Sequence, residues 1–358
     1  MIVRTETIDS RIETWLDENQ PDKIVVVVSQ TSKLLCLPKL QIHLKLDNVI
    51  YEVPDGDESK TMGYCQDLWE VMLRNDVSRN SLVIAVGGGA VLDFAGFCAS
   101  VYMRGIPCMY VPTTLLSMVD GSEGGKTGIN FYGTKNIIGT FTEPVKILRN
   151  VDFLPTLPQF EVLAGWAEII KHAIINNGSL WNHIQNGIPS LENTELWMDI
   201  IRENITFKKG IVENDFREKG ERKLLNLGHT IGHGLEALHF ENPEITHGIC
   251  VANGIYWETL LAVDAGFADP SLLETIENLI FPLYPKINWS TDDVEPLVSL
   301  LMHDKKNRNG KIQFTLPLSI GNCKYDVEIS DANLRYFLNK HASAELANES
   351  DTVSSAEF

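Results

Sequence analysis

Three short runs of apolar, β-branched residues constrain the fold of this chain most. They are KIVVVVSQ (23–30), SLVIAVGGG (81–89) and CMYVP (108–112), and each is stopped by glycine, proline or polar residues. Continuous apolar runs of this kind are typical of strands that a parallel sheet buries on both faces. Residues 59–76, between the first two runs, carry apolar residues at roughly helical spacing. The alternation predicts a Rossmann-like α/β domain with helices around a parallel sheet.

The pattern changes after NVDFLPTLPQ (150–159), whose two prolines suit a linker. Long helical patterns dominate from there, and little strand signal appears before residues 311–323. We therefore predict an α/β domain over residues 1–152 and a mainly α-helical domain over residues 153–340. The tail, residues 341–358, is small, polar and acidic, which predicts disorder.

The composition limits the possible partners and compartments. A formal charge of -18 and a pI near 4.9 argue against binding to nucleic acid or to an anionic membrane surface. The six cysteines form no CxxC pair, as expected of buried thiols in a reducing compartment. No signal-peptide core and no apolar stretch approaching about 18 residues is present. A cytoplasmic location is expected.

A glycine triplet, Gly87–Gly89, follows the second apolar run and precedes a predicted helix. Glycines there let the backbone approach a phosphate, and the helix N-terminus favours an anion. The pattern is neither GxGxxG nor a P-loop, so a nucleotide site and a plain tight turn are equally supported. Asp93 is consistent with helix capping or with cofactor contact.

The segment from Val111 to Gly139 is too polar and too rich in glycine for a core element. We expect a loop here, and loops with fixed polar groups often carry binding chemistry. In so acidic a chain, its lysines favour a phosphate or carboxylate site over a solvated surface. The candidate side chains are Thr113, Thr114, Asp120, Lys126, Asn130, Lys135 and Asn136.

Two further segments carry candidate metal ligands. Glu168 and Lys171 stand three apart among apolar neighbours, where a carboxylate needs a partner or a metal. At about 100° per residue, a helix through LLNLGHTIGHGLEALHF would place Arg222, Asn226, His229 and His233 on one face. Histidines four apart, a third at His247 and Glu168 together suit Zn²⁺ with an open position. Spacing alone does not choose between His229 and His233, and His172 is interpreted as structural.

Taken in order along the chain, these motifs resemble the 3-dehydroquinate synthase family of sugar phosphate cyclases. The similarity runs from about residue 53 to residue 323. Its pieces are VPDGDESK, VGGGAVLDFAGFCASVYMRG, VPTTLL, GGKTGIN, GTKNIIGTF, DFLPTLP, AEIIKH, NLGHTIGH, DKKNRNGKI and PLSIGNC.

The resemblance implies an NAD⁺-binding N-terminal domain, a helical metal-binding domain and a role for each matching residue. The implied Zn²⁺ or Co²⁺ ligands are Glu168, His229 and His247. The implied NAD⁺ contacts are Asp57, Lys60, Gly88, Gly89, Asp93, Thr113, Thr114, Asp120, Lys126, Lys135 and Thr156. The implied substrate and phosphate contacts are Arg104, Asp120, Lys126, Asn136, Lys171, Lys208, Arg222, Asn226, His233 and Lys306, with Lys305 as the alternative to Lys306.

The implied reaction converts 3-deoxy-D-arabino-heptulosonate 7-phosphate into 3-dehydroquinate and phosphate. It combines transient oxidation by NAD⁺, phosphate elimination, re-reduction and an intramolecular aldol step, with the metal acting as a Lewis acid. The lysines, arginines and asparagines would fix the phosphate and the geometry. A small sugar phosphate is the expected partner, and a homodimer the expected assembly.

The chain departs from the family's usual motifs in three places. Gly121 and Glu123 replace Ser and Val in Asp-Ser-Ser-Val, Ile249 replaces the Glu of HGE, and the acid expected after the first strand is replaced by SQTSK (29–33). Glu123 adds negative charge to the predicted phosphate segment, and loss of the acid is expected to weaken adenosine binding.

Three alternatives remain at this stage. Another sugar phosphate cyclase would alter the substrate contacts. A glycerol-type NAD-dependent metal dehydrogenase would not need several lysines around a phosphate group. A catalytically inactive binding protein would regain no activity with Zn²⁺ or Co²⁺ and would hold no NAD⁺.

Overall fold

The computed structural model describes residues 1–40, 48–176, 178–240, 242–302 and 311–343. Its internal contacts divide the chain into two compact units, Met1–Arg222 and Lys223–Phe358. The expected domain boundary after residue 152 stays a prediction. Of the predicted disordered tail (341–358), residues 344–358 lie outside the described part, while His341 is the last residue of the helix Asp331–His341.

The first unit is built on a five-stranded parallel sheet, as the apolar runs predict. Its strands, in spatial order, are β3 (Asn48–Val53), β2 (Ile24–Ser29), β4 (Leu82–Gly87), β5 (Cys108–Pro112) and β8 (Lys146–Ile147). Every residue of β2, β4 and β5 is buried. Burial on both faces explains why these strands show no alternation of polar and apolar residues.

Helices of the first unit cover this sheet and extend the unit beyond it. They are α1 (Thr5–Asn19), α2 (Gln30–Leu35), α3 (Met62–Arg74), α4 (Gly89–Val101), α5 (Gln159–Asn176), α6 (Ser179–Ile184) and α7 (Thr194–Asn214). α4 is apolar on nearly all sides, and residues such as Phe94 and Cys98 are fully buried against the strands. An all-round apolar helix is the expected neighbour of a buried parallel sheet.

Two short strand pairs complete the first unit. β1 (Ile2–Val3) pairs in parallel with β9 (Arg149–Asn150), and β6 (Lys126–Phe131) forms an antiparallel hairpin with β7 (Thr134–Phe141). The hairpin corrects the expectation of a loop over this polar segment. Tyr132 and Gly133 both have positive φ angles, 46° and 74°, as a tight two-residue hairpin turn requires.

The second unit is mainly helical, as the sequence predicts. Its helices are α8 (His229–Leu238), α9 (His247–Asp264), α10 (Pro270–Ile280), α11 (Val294–Met302) and α12 (Asp331–His341). An antiparallel pair, β10 (Ile312–Ser319) and β11 (Asn322–Ile329), contributes the late strand signal. Among the described residues, no helix is both long and apolar enough to cross a bilayer.

Candidate active site

The glycine triplet lies at the carboxyl end of β4, where α4 begins. A Cβ atom on Gly87 would lie 2.5 Å from the Cβ of Val91, and one on Gly88 would lie 3.1 Å from Cγ2 of Thr114. The Thr113 amide donates to the Gly87 carbonyl at 2.9 Å. A side chain at Gly87 would collide with Val91, one at Gly88 would be crowded, and the amides at the start of α4 have no side-chain cap. Such a turn can hold a phosphate of a dinucleotide.

A polar network lies beside this turn and centres on Lys60, which is 3% exposed. Its Nζ lies 2.7 Å from Oδ2 of Asp93 and also donates to Oδ1 of Asn136. Oδ1 of Asn130 accepts from the Asn136 amide at 2.9 Å, which supports the left-handed conformation of Asn136. Lys135 lies 3.7 Å from Asp57 on the exposed side. The structure thus brings four of the predicted cofactor contacts, Asp57, Lys60, Asp93 and Lys135, into one part of the first unit.

The segment SQTSK at the end of β2 contains no acid, but an acid reaches it from the neighbouring strand. Asp55, which follows β3, accepts hydrogen bonds from the Thr31 amide at 3.2 Å and the Thr31 hydroxyl at 2.8 Å. Burial opposes ionisation of Asp55, but hydrogen bonds from Ser29 and Thr31 outweigh it and lower the pKa of the carboxyl. A carboxylate is therefore present at this strand end.

Asp120 is the centre of a second cluster, formed by buried cationic side chains. Its Oδ1 lies 2.7 Å from Nζ of Lys208 and 3.7 Å from Nζ of Lys171. The ammonium of Lys208 also donates to the Asp120 backbone carbonyl at 2.6 Å. Lys171 forms a close ion pair with Glu168, one turn earlier on α5. All four side chains are at most about a quarter exposed.

The electrostatics of this cluster keep Asp120 and Lys171 ionised, whereas burial outweighs the attraction of Asp120 and lowers the pKa of Lys208. Burial raises the pKa of Asp120, but Lys208 and Lys171 outweigh burial and hold it well below the usual aspartate range. Burial lowers the pKa of Lys171, but Glu168 and Asp120 outweigh it, so the ammonium is retained. The result is a buried, preorganised arrangement of two lysines and two carboxylates, in which the lysines can turn their N–H donors to an anionic substrate group.

His172 belongs to this cluster, although its place on the helical wheel indicated a purely structural role. Its Nε2 lies 3.3 Å from Oδ1 of Asp120, and its Nδ1 lies 3.0 Å from Oδ1 of Asn204. Burial, and then the Lys171 ammonium, lower its pKa, so the ring is neutral at pH 7. Asp120, Glu168 and His172 offer oxygen and nitrogen atoms within 4.8 Å of one another.

Arg222 and Lys126 both lie next to the glycine pair Gly124–Gly125. The Arg222 guanidinium, 3% exposed, donates to the carbonyls of Gly124 at 3.1 Å and Phe216 at 2.6 Å. Lys126 forms a close ion pair with Glu218, which the sequence did not single out. Both cations thus lie in the first unit, at the start of β6.

Two predicted residues lie apart from these clusters. Arg104 is exposed in the turn after α4, roughly 20 Å along the helix from the glycine triplet. The Thr156 hydroxyl donates to the Phe153 carbonyl at 2.7 Å.

The second unit brings three histidines together. The ring of His229 lies 5.2 Å from that of His233 and 5.9 Å from that of His247, centroid to centroid. Nδ1 of His229 donates to the Leu227 carbonyl at 3.1 Å, and Nδ1 of His247 donates to Glu236 at 2.9 Å. These bonds make Nε2 the nitrogen that would bind a metal in each ring. His233, Glu236 and His247 also offer ligand atoms within 4.8 Å of one another.

The prediction that Arg222, Asn226, His229 and His233 share one helix face is wrong. Residues Glu221–Asn226 form a 3₁₀ helix, Gly228 has a φ angle of 78°, and α8 begins only at His229. His229 and His233 share α8, whereas Asn226 precedes it and Arg222 belongs to the first unit. Helical periodicity cannot be extended through a residue in the left-handed region.

The glycines of α8 serve close packing between helices. A Cβ on Gly232 would lie 2.8 Å from the Cys250 carbonyl, and one on Gly234 would lie 2.8 Å from Cδ1 of Leu297. The N-terminus of α8 is capped by Glu258 of α9, which is fully buried. Its carboxylate accepts from the amides of Gly228, Thr230 and Ile231 at 2.6, 2.9 and 3.0 Å.

The remaining predicted residues, Lys305 and Lys306, lie outside the described residues. Lys311, from the same motif, pairs with Glu328 at 2.5 Å on the β10–β11 hairpin.

Comparison with known proteins agrees with this fold and with the order of the motifs. The family model for the 3-dehydroquinate synthase N-terminal region matches residues 50–164, and that for the C-terminal region matches residues 165–307. A 3-dehydroquinate synthase of Alkaliphilus metalliredigens is 42% identical over 287 residues, which is 79% of this chain and 80% of the relative. One from Pyrococcus abyssi is 39% identical over 319 residues, 87% of this chain and 91% of the relative.

A solved structure places the fold in a wider class. The crystal structure of 2-deoxy-scyllo-inosose synthase, complexed with carbaglucose-6-phosphate, NAD⁺ and Co²⁺, has a TM-score of 0.81 at 21% identity. It covers 95% of this chain and 96% of its own. The fold is therefore that of the sugar phosphate cyclases. Within that class, the chain belongs to the 3-dehydroquinate synthase family, which confirms the assignment made from the motifs.

Proposed function

We propose that this chain converts 3-deoxy-D-arabino-heptulosonate 7-phosphate into 3-dehydroquinate and phosphate, with NAD⁺ and a divalent cation as cofactors. The observation that carries the proposal is the buried cluster of Lys171 and Lys208 around Asp120. Burying two ammonium groups is costly. In a chain of net charge -18, such a cluster is best explained by a dianionic substrate group that it binds.

The first unit supplies a turn that fits a dinucleotide. A side chain is excluded at Gly87 and crowded at Gly88, and without side chains there the backbone can approach a pyrophosphate. Asp57, Lys60, Asp93 and Lys135 would contact the cofactor beside this turn. Gly89, Thr113, Thr114, Asp120, Lys126 and Thr156 are proposed as further contacts.

The chain also offers ligands that fit a borderline divalent cation. We assign Glu168, His229 and His247 to this role, because one carboxylate and two imidazoles suit Zn²⁺ or Co²⁺ with an open position. The two imidazoles have their Nδ1 atoms engaged by Leu227 and Glu236, as metal-binding histidines usually do.

The remaining assigned residues would bind and orient the substrate. Lys171, Lys208 and Arg222 provide fixed positive charge, which stabilises a departing phosphate without reorganisation. When bound, NAD⁺ would accept and return a hydride, and the cation would polarise the oxygen at the reacting carbon. Substrate contacts are also assigned to Arg104, Asp120, Lys126, Asn136, Asn226, His233 and Lys306, with Lys305 as the alternative.

The proposal is tested by turnover with the heptulosonate 7-phosphate, catalytic NAD⁺ and Zn²⁺. Phosphate release should match carbocycle formation, with no net accumulation of NADH. Lys126→Ala should lower kcat/KM by about 10²–10³-fold, because a fixed cation near the developing charge is lost. Lys340→Ala is the control, since Lys340 pairs with Asp264 on the surface of the second unit. Steady NADH production from a neutral alcohol, unaffected by Lys126→Ala, would instead favour a simple dehydrogenase.

Three finer statements belong to the same proposal. The substrate is a small sugar phosphate, the assembly is a homodimer, and the location is the cytoplasm. The cytoplasmic location is supported by the six free thiols, of which five are buried and Cys323 is partly exposed. Light scattering of the purified chain tests the assembly.

A further inference from the structure

The turn that carries Asp120 contacts the buried side chains of Lys208 and Arg222, and it is also held from behind by a buried arginine. The turn comprises Ser117–Gly121, one turn of π-helix, and continues through Ser122 and Glu123 into the two positive-φ residues Gly124 and Gly125. Arg149, on β9, lies beneath it with a relative exposure of 1%.

Arg149 contacts this turn on both sides of Asp120. Its Nε donates to the Met118 carbonyl at 2.7 Å, and its Nη2 donates to Oγ of Ser122 at 2.9 Å. The same Nη2 lies 2.6 Å from Oε1 of Glu123. The planar guanidinium therefore contacts three residues of this turn, Met118, Ser122 and Glu123. A lysine could not reproduce this arrangement of donors.

Glu123 is the counter-charge that makes this arrangement possible. Its side chain is 15% exposed, so the pair lies largely out of solvent. A buried guanidinium without a carboxylate would be strongly unfavourable. Glu123 stands where the family's usual motif has Val, and the negative charge that it adds to this segment is neutralised by Arg149.

We propose that Arg149 and Glu123 are positioning residues that hold the turn 117–125 in place and thereby orient Asp120 toward Lys208 and Lys171. The effect on catalysis rests on the function proposed above. The effect on the turn does not, because it follows from hydrogen bonds within the first unit.

Four variants test the proposal. Arg149→Met removes the hydrogen bonds. Arg149→Lys keeps the positive charge but loses the planar guanidinium with its several N–H donors. The double variant Glu123→Val with Arg149→Met replaces the pair by apolar groups and should fold even where a single variant does not. Arg335→Met is the matched control, because Arg335 pairs with Glu295 and Asp331 on the surface of α12.

Amide hydrogen exchange followed by mass spectrometry reports on the turn directly. Peptides covering residues 117–125 should exchange at least about 10-fold faster in the double variant and in Arg149→Lys, and at the wild-type rate in Arg335→Met. If these peptides kept wild-type protection in both the double variant and Arg149→Lys, the proposal would be overturned. This holds whether or not the enzyme turns over the heptulosonate phosphate.

Kinetics separate positioning from mere stability. The double variant should regain most of the melting temperature lost in Arg149→Met, yet keep a kcat about 10-fold below wild type when assayed well below its Tm. Full recovery of kcat in the double variant would mean that Arg149 and Glu123 only neutralise each other's charge. That result would refute the positioning role. Absence of turnover by the wild-type enzyme would count against the proposed function alone.

Discussion

At the scale of single residues, Asp55 shows how a neighbouring strand can supply a group that a motif lacks. In doubly wound sheets, an acid at the end of the strand next to the glycine turn binds a ribose hydroxyl of the dinucleotide. β2 occupies that place beside β4, and its end carries Thr31 but no acid. The carboxylate of Asp55 reaches Thr31 from β3.

We expect Asp55→Asn to weaken NAD⁺ binding. The change keeps the shape but removes the charge, and a hydrogen bond to a charged group contributes about 1.5–3 kcal/mol. The Kd for NAD⁺ should rise about 10-fold, and discrimination against NADP⁺ should fall, because the 2′-phosphate no longer meets a carboxylate.

Titration calorimetry with both dinucleotides measures this directly. Thr31→Val, which removes only the hydroxyl partner, should have a smaller effect, and Glu52→Gln, which changes an exposed partner of Lys33, should have none. Equal NAD⁺ affinity in Asp55→Asn and wild type would show that Asp55 has no part in cofactor binding.

Residue types and local spacing could single out Lys171 and the histidines, because they are polar positions among apolar neighbours, whereas Lys208 is identified only through the resemblance to the family. They could not predict the roles of His172 or Arg149. His172 meets Asp120, 52 positions earlier in the chain, and Arg149 meets Glu123 across 26 positions. Such pairings depend on how strands and helices are assembled, which local periodicity does not record.

At the scale of elements, the start of α8 decides where the histidines lie. Gly228 in the left-handed region ends the preceding 3₁₀ helix, and Glu258 then fixes the first turn of α8 from a different helix. The sequence could predict a helix here from its apolar spacing, but not its first residue. The cap comes from α9, about thirty positions away, instead of from a local Ser, Thr, Asp or Asn.

Glu258→Gln should destabilise the second unit by about 2–4 kcal/mol. The carboxylate accepts three backbone amides at a helix N-terminus, and the amide of glutamine would place a donor against donors. Urea unfolding monitored by tryptophan fluorescence measures the change, with Glu295→Gln as an exposed glutamate control. A loss below about 0.5 kcal/mol would mean that solvent or other groups satisfy these amides equally well.

At the scale of the whole molecule, a cation bound by the proposed ligands is expected to stabilise the folded chain. Glu168 belongs to the first unit, while His229 and His247 belong to the second. A cation that binds only the folded chain stabilises it by about 2.7 kcal/mol at a free concentration 100-fold above its Kd.

Chelation followed by titration with Zn²⁺ or Co²⁺ should therefore raise the Tm of the apoprotein by several degrees, independently of any substrate. His229→Asn and Glu168→Gln should each abolish most of this shift, because each removes one of the three proposed ligands. His183→Asn should leave it intact, since His183 faces Glu203 on the first unit. Differential scanning calorimetry at fixed metal concentration makes the measurement. If Glu168→Gln kept the full shift while His229→Asn lost it, the carboxylate would not be a ligand, and the cation would be held by the histidines of the second unit alone.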